Sequence, residues 1–362
     1  MRITKLLFKT LLLSLVLISC GEDSLKEIID QELPIVEGEI SFKDGILISG
    51  EGSGAGSGSI SFLSEDFTVL SNQIYYSINN EQLGTFLQSL AFDAENAYIS
   101  VDNASTITVV DRYTFEEKGK ITTDLDHPRF MTIANGKGYS TNWGTGSFGN
   151  NVDDDFIAVI NLTTFLVEKT ISVAVGPERI LEKNGKLYVS HKGAHGTNNI
   201  VSVIDLATDD VTEITVGYKP DEMFFDASNA LWVLSSGNAS WTNNETKGGI
   251  VKIDITTNAI VKTFDFAMDE HPSLMTLSEG KIYYELSNEI YVMNVSATEL
   301  PATSIITTTG YTYELAVKDN QLFSIDAAFT KLSKLSVYDL GTKTKTDDFN
   351  VALGASKIYF NE

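Results

Sequence analysis

The chain has 362 residues, of which 49 are Asp or Glu and 26 are Lys or Arg, so its formal net charge is −23. So acidic a surface argues against binding to nucleic acid and against lying flat on anionic lipid. The single cysteine excludes a disulfide within the chain, so stability must come from burial of a core, which a chain of this length can form.

Residues 1–19 have the composition of a secretion signal. Arg2, Lys5 and Lys9 precede an apolar run that is too short to span a bilayer as a helix. The run ends in LISC at Cys20, which resembles a bacterial lipobox. That resemblance implies cleavage before Cys20 and lipidation of its thiol, and several acyl chains on one residue hold a protein durably to a bilayer. An ordinary signal peptide with an incidental cysteine is the alternative.

Residues 20–39 are predicted to form an acidic tether between lipidated Cys20 and a folded body. The GEDS sequence after the cysteine resembles the acidic export tag of Bacteroidetes surface lipoproteins. That resemblance implies an outer-membrane protein exposed at the cell surface. A plain tether on a periplasm-facing protein explains the same residues.

Residues 40–362 are predicted to be built from repeated four-stranded units. The clearest copy begins at Pro177 and has an apolar strand, a two-residue turn, a second strand, a variable loop and two further strands. Six complete copies are recognisable: residues 88–123, the units beginning at Pro128, Pro177 and Pro220, and residues 272–308 and 313–351. Four-stranded units repeating every 40 to 50 residues or so are typical of β-propeller blades.

A seventh unit is split between the two ends of this domain. Residues 45–72 contain strand-like segments but lack a convincing first strand, whereas residues 354–360 resemble a first strand alone. Joining the two segments closes a ring. We therefore predict an all-β fold: a seven-bladed β-propeller of four-stranded antiparallel blades, closed by pairing of the C-terminal strand with the N-terminal blade.

Dipeptides that tolerate positive φ separate the first and second strands of several units. They are Asn135-Gly136, Asn184-Gly185, Glu279-Gly280 and Asp319-Asn320. Tight β-hairpins need such residues. We therefore predict short hairpin turns at these positions.

The variable loops are predicted to gather on one face of the ring. Strands alternate in direction, so the loops between second and third strands and the links between blades emerge together. We expect ligand or partner contact on this loop-rich face, from Trp143, Phe148, His191, His195 and Trp241. Of these, Trp143 and Trp241 occupy corresponding polar loops of two blades, where core packing is not the default.

Two groups on this face could bind a metal, but neither makes a complete site. His191 and His195 lie in one predicted loop with no third ligand evident. The run Asp153, Asp154 and Asp155 could bind Ca²⁺, yet its spacing matches no recognised calcium loop, and a solvated turn is the alternative. We predict no metal and no cofactor.

First strands line the channel of a propeller, so residues early in those strands are expected near its mouth. Charged residues at these positions include Arg129, Arg179, Glu222 and Glu314. Charges of both signs could simply pair and plug the channel. Alternatively, a ligand with phosphate, carboxylate or catecholate groups would use the arginines.

Two stretches carry a resemblance to known families. The segments KLYVSHKGAHGTNNIVSVIDLATDDVTEITVGYKP and KGYSTNWG resemble the YVTN repeat of surface-layer and YncE-like propellers. The segment GILISGEGSGAGSGSISFLSED, with LGTFLQSLAFDAENAYISVDNASTITVVD after it, is similar to the opening of the DUF5074 group of Bacteroidetes lipoproteins. This chain departs from that group at Ser49-Gly50-Glu51-Gly52, where Asn-Glu-Gly is usual.

The resemblance implies a role, although the group has no agreed reaction. Its members are commonly found beside TonB-dependent outer-membrane receptors, which implies capture of a scarce nutrient such as a metal chelate, haem or cobalamin. We therefore expect a non-catalytic binding module. An adhesive or structural surface protein is the first alternative, and a propeller enzyme of lactonase or quinoprotein type is the second. Such enzymes need a metal cluster or a quinone-stacking Trp with Ca²⁺ ligands, and we find no full set of either.

Overall fold

The structure, a computed structural model, describes residues 34–36, 39–54, 56–147, 150 and 152–362. The predicted signal segment, Cys20 and Phe148 lie outside the described residues. Regular structure within them is β apart from one short helix, α1 (Ile74–Asn79), and a 3-10 turn, Ser240–Thr242. No helix in the part of the chain that the structure describes is long and apolar enough to cross a membrane.

Seven four-stranded sheets form the body, and blades I to VII are named here in ring order. The first strands of blades II to VII are β6 (Leu87–Phe92), β10 (Pro128–Ala134), β14 (Pro177–Lys183), β18 (Pro220–Phe225), β22 (Leu274–Ser278) and β26 (Thr312–Lys318). Their second strands are β7 (Asn96–Val101), β11 (Lys137–Asn142), β15 (Lys186–His191), β19 (Leu231–Ser235), β23 (Lys281–Leu286) and β27 (Gln321–Asp326).

The outer strands of the same blades complete each sheet. The third strands are β8 (Thr106–Asp111), β12 (Phe156–Asn161), β16 (Ile200–Asp205), β20 (Gly249–Asp254), β24 (Glu289–Asn294) and β28 (Leu332–Asp339). The fourth strands are β9 (Glu117–Ile121), β13 (Leu166–Ser172), β17 (Val211–Thr215), β21 (Ala259–Asp265), β25 (Ile306–Thr307) and β29 (Thr344–Leu353). Each sheet is antiparallel and follows chain order.

Blade I confirms the predicted closure of the ring. Its strands, in order across the sheet, are β30 (Ala355–Asn361), β3 (Gly45–Gly50), β4 (Ser59–Ser64) and β5 (Leu70–Ser71). The last strand of the chain is therefore the first strand of this blade, with Ile358 opposite Ile48. The first strands of neighbouring blades also contact one another, and β30 contacts both β26 and β6. The described chain is therefore the seven-bladed propeller that the repeats predict.

The described chain begins with a short segment that leads into the propeller. Strands β1 (Ile35–Val36) and β2 (Glu39–Ile40) form a small hairpin. Two residues later, the amide of Phe42 donates to the carbonyl of Tyr113 at 2.7 Å, and its ring is fully buried. Contact with blade II therefore begins immediately after this hairpin.

Burial between blades explains why the middle strands are apolar on both faces. In β12, Ile157 and Val159 pack towards blade IV, whereas Ala158 and Ile160 pack towards blade II. Side chains alternate across a strand, so only a strand covered on both faces carries apolar residues at every position. One hydrophobic cluster lies at each of the seven junctions between blades. A blade alone would leave these surfaces in water, and stacking buries them.

The hairpin dipeptides behave as predicted. Asn135 and Gly136 have φ values of 52° and 74°, and the other three dipeptides also have positive φ at both residues. This conformation gives the tight turn whose twist matches the strands. One face of the ring therefore carries short hairpins, which leaves the long loops on the other.

Candidate functional site

Three long loops on the loop-rich face lie side by side and form a continuous surface. They comprise residues 143–155, 192–199 and 236–248 of blades III, IV and V, and we call their described residues the rim arc. The rings of Trp143 and His195 meet edge to face, with centroids 5.6 Å apart. The hydroxyl of Thr197 donates to the side-chain carbonyl of Asn238 at 2.8 Å. Each loop therefore supports the next.

The two rim tryptophans have different environments. The Trp143 ring lies 3.8 Å from the guanidinium carbon of Arg129, and its indole N–H donates to the carbonyl of Pro177 at 3.0 Å. Trp241, in contrast, is 77% exposed, and its one aromatic or cationic neighbour among the described residues is the Lys219 ammonium at 5.7 Å. Trp143 therefore positions a charged residue of the channel, whereas Trp241 presents its ring to solvent.

The two histidines that we predicted for one loop differ in position. The prediction that His191 lies in a loop is wrong. His191 is the last residue of β15, pairs with Pro177 and is fully buried. Its Nε2 lies 2.8 Å from the hydroxyl of Ser202, and burial lowers the pKa of His191 to about 4. His195 is exposed in the loop beyond. The spacing of the repeats carried a signal for this: Asn142 and His191 stand at the same distance from Pro128 and Pro177, and each ends the second strand of its blade.

The three aspartates of the 143–155 loop do not converge. Asp154 accepts hydrogen bonds from the amide and hydroxyl of Thr145, the latter at 2.6 Å. Asp155 is buried and accepts from the amide of Gly176 at 2.5 Å, and burial raises its pKa to about 7. No group of three or more His, Cys, Asp or Glu side chains within the described ranges is placed to hold a metal ion. Asp154 and Asp155 instead hold the loop to its own backbone and to the blade link.

A polar cavity of about 200 Å³ lies at the centre of the rim, at the mouth of the channel. Its charged and aromatic lining residues are Glu51, Arg129, Phe130, Glu178, Arg179, Lys192, Asp221, Glu222, Tyr311, Tyr313 and Lys357. Most of them lie among the first residues of the first strands, where the chain enters each blade. The predicted channel residues Arg129, Arg179 and Glu222 are thus brought together, and Glu314 lies below them beside Lys357.

Each arginine of the mouth lies between two carboxylates. Arg129 contacts Asp102 at 2.8 Å and Glu178 at 2.9 Å. In the next blade, Arg179 contacts Asp221 at 3.0 Å and also pairs with Glu222. Arg179 further stacks on Phe130, with 4.2 Å from its guanidinium carbon to the ring centre.

Lysines and a tyrosine complete the network. Lys192 contacts Asp221 at 2.6 Å, and Lys357 contacts Glu314 at 2.6 Å. The hydroxyl of Tyr313 donates to Glu51 at 3.1 Å. Sequence reasoning did not assign Glu51, Lys192 or Tyr313 to the site. The mismatch at the usual Asn-Glu-Gly was the one signal that pointed to Glu51.

Burial and pairing give the carboxylates of the mouth different protonation behaviour. Burial by itself raises the pKa of Asp221, but the Lys192 ammonium and the Arg179 guanidinium outweigh it and hold that pKa well below its usual range. Burial raises the pKa of Glu222 to about 7 and also raises that of Glu51. Strongly perturbed groups around a cleft are typical of binding and catalytic sites. The mouth can therefore hold both charged and protonated carboxyl groups near neutral pH.

The family model described as Domain of unknown function (DUF5074) matches residues 44–217, which is 174 of the 362 residues and spans most of blades I to IV. A search of curated protein sequences finds no match.

Solved structures with similar folds include a designed protein, a dehydrogenase and a synthase. The computationally designed Ika8 protein has a TM-score of 0.56 at 13% identity and covers 90% of this chain and 92% of its own. The dihydro-heme d1 dehydrogenase NirN in complex with DHE has a TM-score of 0.56 at 12% identity, covering 91% and 77%. Kuenenia stuttgartiensis hydrazine synthase has a TM-score of 0.58 at 15% identity, covering 76% and 91%. At these identities the likeness concerns the fold alone. Residues 44–217 therefore match DUF5074, and the described chain as a whole is a seven-bladed β-propeller.

Proposed function

We propose that this protein is a non-catalytic binding module of the cell envelope, anchored to the outer membrane through Cys20, that serves a TonB-dependent nutrient uptake system. The observation that carries the binding role is the rim arc around the polar mouth, with Trp241 77% exposed upon it. The resemblance of the signal segment and of the DUF5074-like stretch supports the address and the uptake role.

The exposure of Trp241 favours a macromolecular partner on this face. An indole in water gains a large apolar contact area when a partner covers it, and Trp is enriched among residues that dominate binding energy. The 3-10 turn Ser240–Thr242 places the ring on the rim, 5.7 Å from the Lys219 ammonium. Trp241 is thus the anchor that we assign to a receptor.

The size of the mouth restricts how a nutrient can bind. A cavity of about 200 Å³ is smaller than the roughly 300–1,000 Å³ of pockets that enclose whole ligands. Under this proposal, a metal chelate, haem or cobalamin lies across the rim and inserts only a polar arm. The arm would meet Lys192, which at 44% side-chain exposure is the most accessible cation of the mouth network.

Site-specific crosslinking tests the partner. A benzophenone amino acid replaces Trp241 in the full-length lipidated chain, expressed in its own cells, and irradiated products are identified by mass spectrometry. The matched control carries it at Leu166, which is 56% exposed and begins β13 at the hairpin face. We expect a TonB-dependent receptor to crosslink from position 241 and not from position 166. Equal crosslinking from both positions, or crosslinks from 241 only to copies of this chain, would contradict the proposal.

Cell fractionation tests the address. Cys20→Ala removes the thiol that the lipobox resemblance assigns to lipidation. We expect the wild-type chain in the outer-membrane fraction and the variant in soluble or membrane-detached material, because the apolar run alone is too short to span a bilayer. Outer-membrane retention of the variant at wild-type levels would rule out this anchor.

A further inference from the structure

A second, larger cavity occupies the half of the channel away from the rim. It measures about 540 Å³ and lies along the later residues of the first strands, which run from the loop-rich face towards the hairpin turns. We call it the lower channel. Unlike the mouth, it falls within the size range of pockets that enclose a small ligand.

Most of the residues that line the lower channel have apolar side chains. The largest side chains that line it are Met223, Phe225, Met275, Leu277, Tyr359 and Phe360. Four of these, Phe225, Leu277, Tyr359 and Phe360, pack against the hydrophobic clusters between blades and yet remain only half-buried. Concave apolar surface that remains accessible is the common property of sites for apolar ligands.

A belt of charged residues forms the roof of this cavity. Arg179, Glu222 and Lys357 line both the mouth and the lower channel, and Glu314 lines the lower channel. Two ion pairs hold the belt in place: Arg179 with Glu222, and Lys357 with Glu314. The belt therefore separates the polar mouth above from a cavity below whose remaining lining residues are mostly apolar.

Two groups of the belt, Lys357 and Glu222, have hydrogen-bond donors or acceptors that no described residue occupies. Lys357 has three N–H donors, and Glu314 is its one hydrogen-bond partner among the described residues. For Glu222, the described residues supply one hydrogen bond, from Arg179, and its second oxygen receives none. Burial raises the pKa of Glu222 to about 7, so near neutral pH the ionised form that pairs with Arg179 coexists with a neutral form, which still accepts from Arg179 and whose hydroxyl can donate. Donors are therefore available at the roof for an acceptor that enters from below.

We propose that the lower channel binds a small amphipathic carboxylic acid that enters from the hairpin face, with its apolar body against Leu277 and Phe360 and its carboxylate at Lys357 and Glu222. The site lies on the opposite side of the belt from the rim and goes beyond the function proposed above. A carboxylate accepts hydrogen bonds from the two spare N–H donors of Lys357 and from the hydroxyl of neutral Glu222. An amine would find acceptors only on Glu222 and Glu314, which already pair with Arg179 and Lys357, and it would face both of these cations; an uncharged alcohol would gain less from an ammonium.

Calorimetric titration of the full-length protein with three probes of equal chain length tests the proposal: decanoate and decylamine below their micelle concentrations and decanol below its solubility limit, all at pH 6.5. We expect decanoate to bind most tightly. The double substitution Lys357→Met with Glu314→Gln removes the head-group contact without leaving a buried carboxylate unpaired. It should weaken decanoate binding by about tenfold to a hundredfold, the value of a charged hydrogen bond, and leave decanol within about threefold. Lys357→Arg should retain most of the decanoate affinity.

Two further variants separate the wall from general effects. Leu277→Asp places a charge in the apolar wall and should weaken decanoate and decanol alike. Lys281→Met, an exposed lysine at the start of β23, is the matched control and should change neither. Three results would each overturn the proposal: preference for decylamine, no binding of any probe, or unchanged decanoate affinity in both the Lys357→Met/Glu314→Gln variant and the Leu277→Asp variant. Crosslinking from position 241 should persist in all these variants, so the two proposals fail independently.

Discussion

Replacing each rim tryptophan by alanine should separate a packing role from a binding role. Trp143→Ala removes the ring that covers Arg129 and the N–H that donates to Pro177. A desolvated cation–π contact contributes about 1–2 kcal/mol, and the side chain of Arg129 is only 12% exposed. Leaving the carbonyl of buried Pro177 without its partner costs about 1–3 kcal/mol more. We therefore expect a loss of about 2–5 kcal/mol in the free energy of unfolding.

Trp241→Ala is the comparison from a corresponding loop. Its ring is 77% exposed, and the Lys219 ammonium at 5.7 Å is a weak contact worth about 0.5 kcal/mol in water. We expect the free energy of unfolding to change by less than about 1 kcal/mol. Trp143→Phe should fall between the two alanine variants, because it keeps a ring over Arg129 and loses the N–H.

Urea unfolding followed by far-ultraviolet circular dichroism measures these differences, with similar m values as the condition for comparing midpoints. Equal midpoints for Trp143→Ala and the wild type would refute the structural role of Trp143. A loss for Trp241→Ala as large as that for Trp143→Ala would show that the exposed ring is packed in solution, and it would remove the reason for assigning Trp241 to a partner.

Two further predictions concern the buried histidine and the ring closure. The pKa of His191 is about 4 in the folded chain and about 6.5 in the unfolded chain, so the wild type loses stability as the pH falls through that window. His191→Gln removes this titration. Between pH 7 and pH 4.5, its free energy of unfolding in urea should therefore fall by about 2–3 kcal/mol less than that of the wild type. A histidine proton resonance that titrates near pH 4 would confirm this pKa, and four resonances titrating near 6.5 would contradict it. Deleting residues 354–362 removes β30 and should abolish the single cooperative melting transition, since β3 loses its inner partner and blade I no longer closes the ring. A circular permutant that places these residues ahead of residue 43 should restore that transition, and an unchanged melting curve for the deletion would contradict closure by β30.

The number of blades, their order and the closure of the ring could all be predicted from the sequence. These features depend on local patterns: apolar runs at strand spacing, Asn-Gly turns between them, and a lone first strand at the end that matches the gap at the beginning. Asn and Gly tolerate positive φ irrespective of tertiary contacts, so Asn135 and Gly136 predict a turn by themselves. Similar dipeptides recur in other blades. The general position of the charged residues at the channel followed from the same repeat.

The chemistry of individual side chains depended on tertiary contacts. Trp143 and Trp241 occupy similar loops, yet only Trp143 meets an arginine and a carbonyl from strands of blades III and IV. Glu51 reaches Tyr313 across the closure of the ring, 262 positions along the chain. Such pairs form only when the ring closes, because closure brings together residues that no local pattern relates. The lower channel is also a product of closure, since its walls and charged roof come from first strands of different blades.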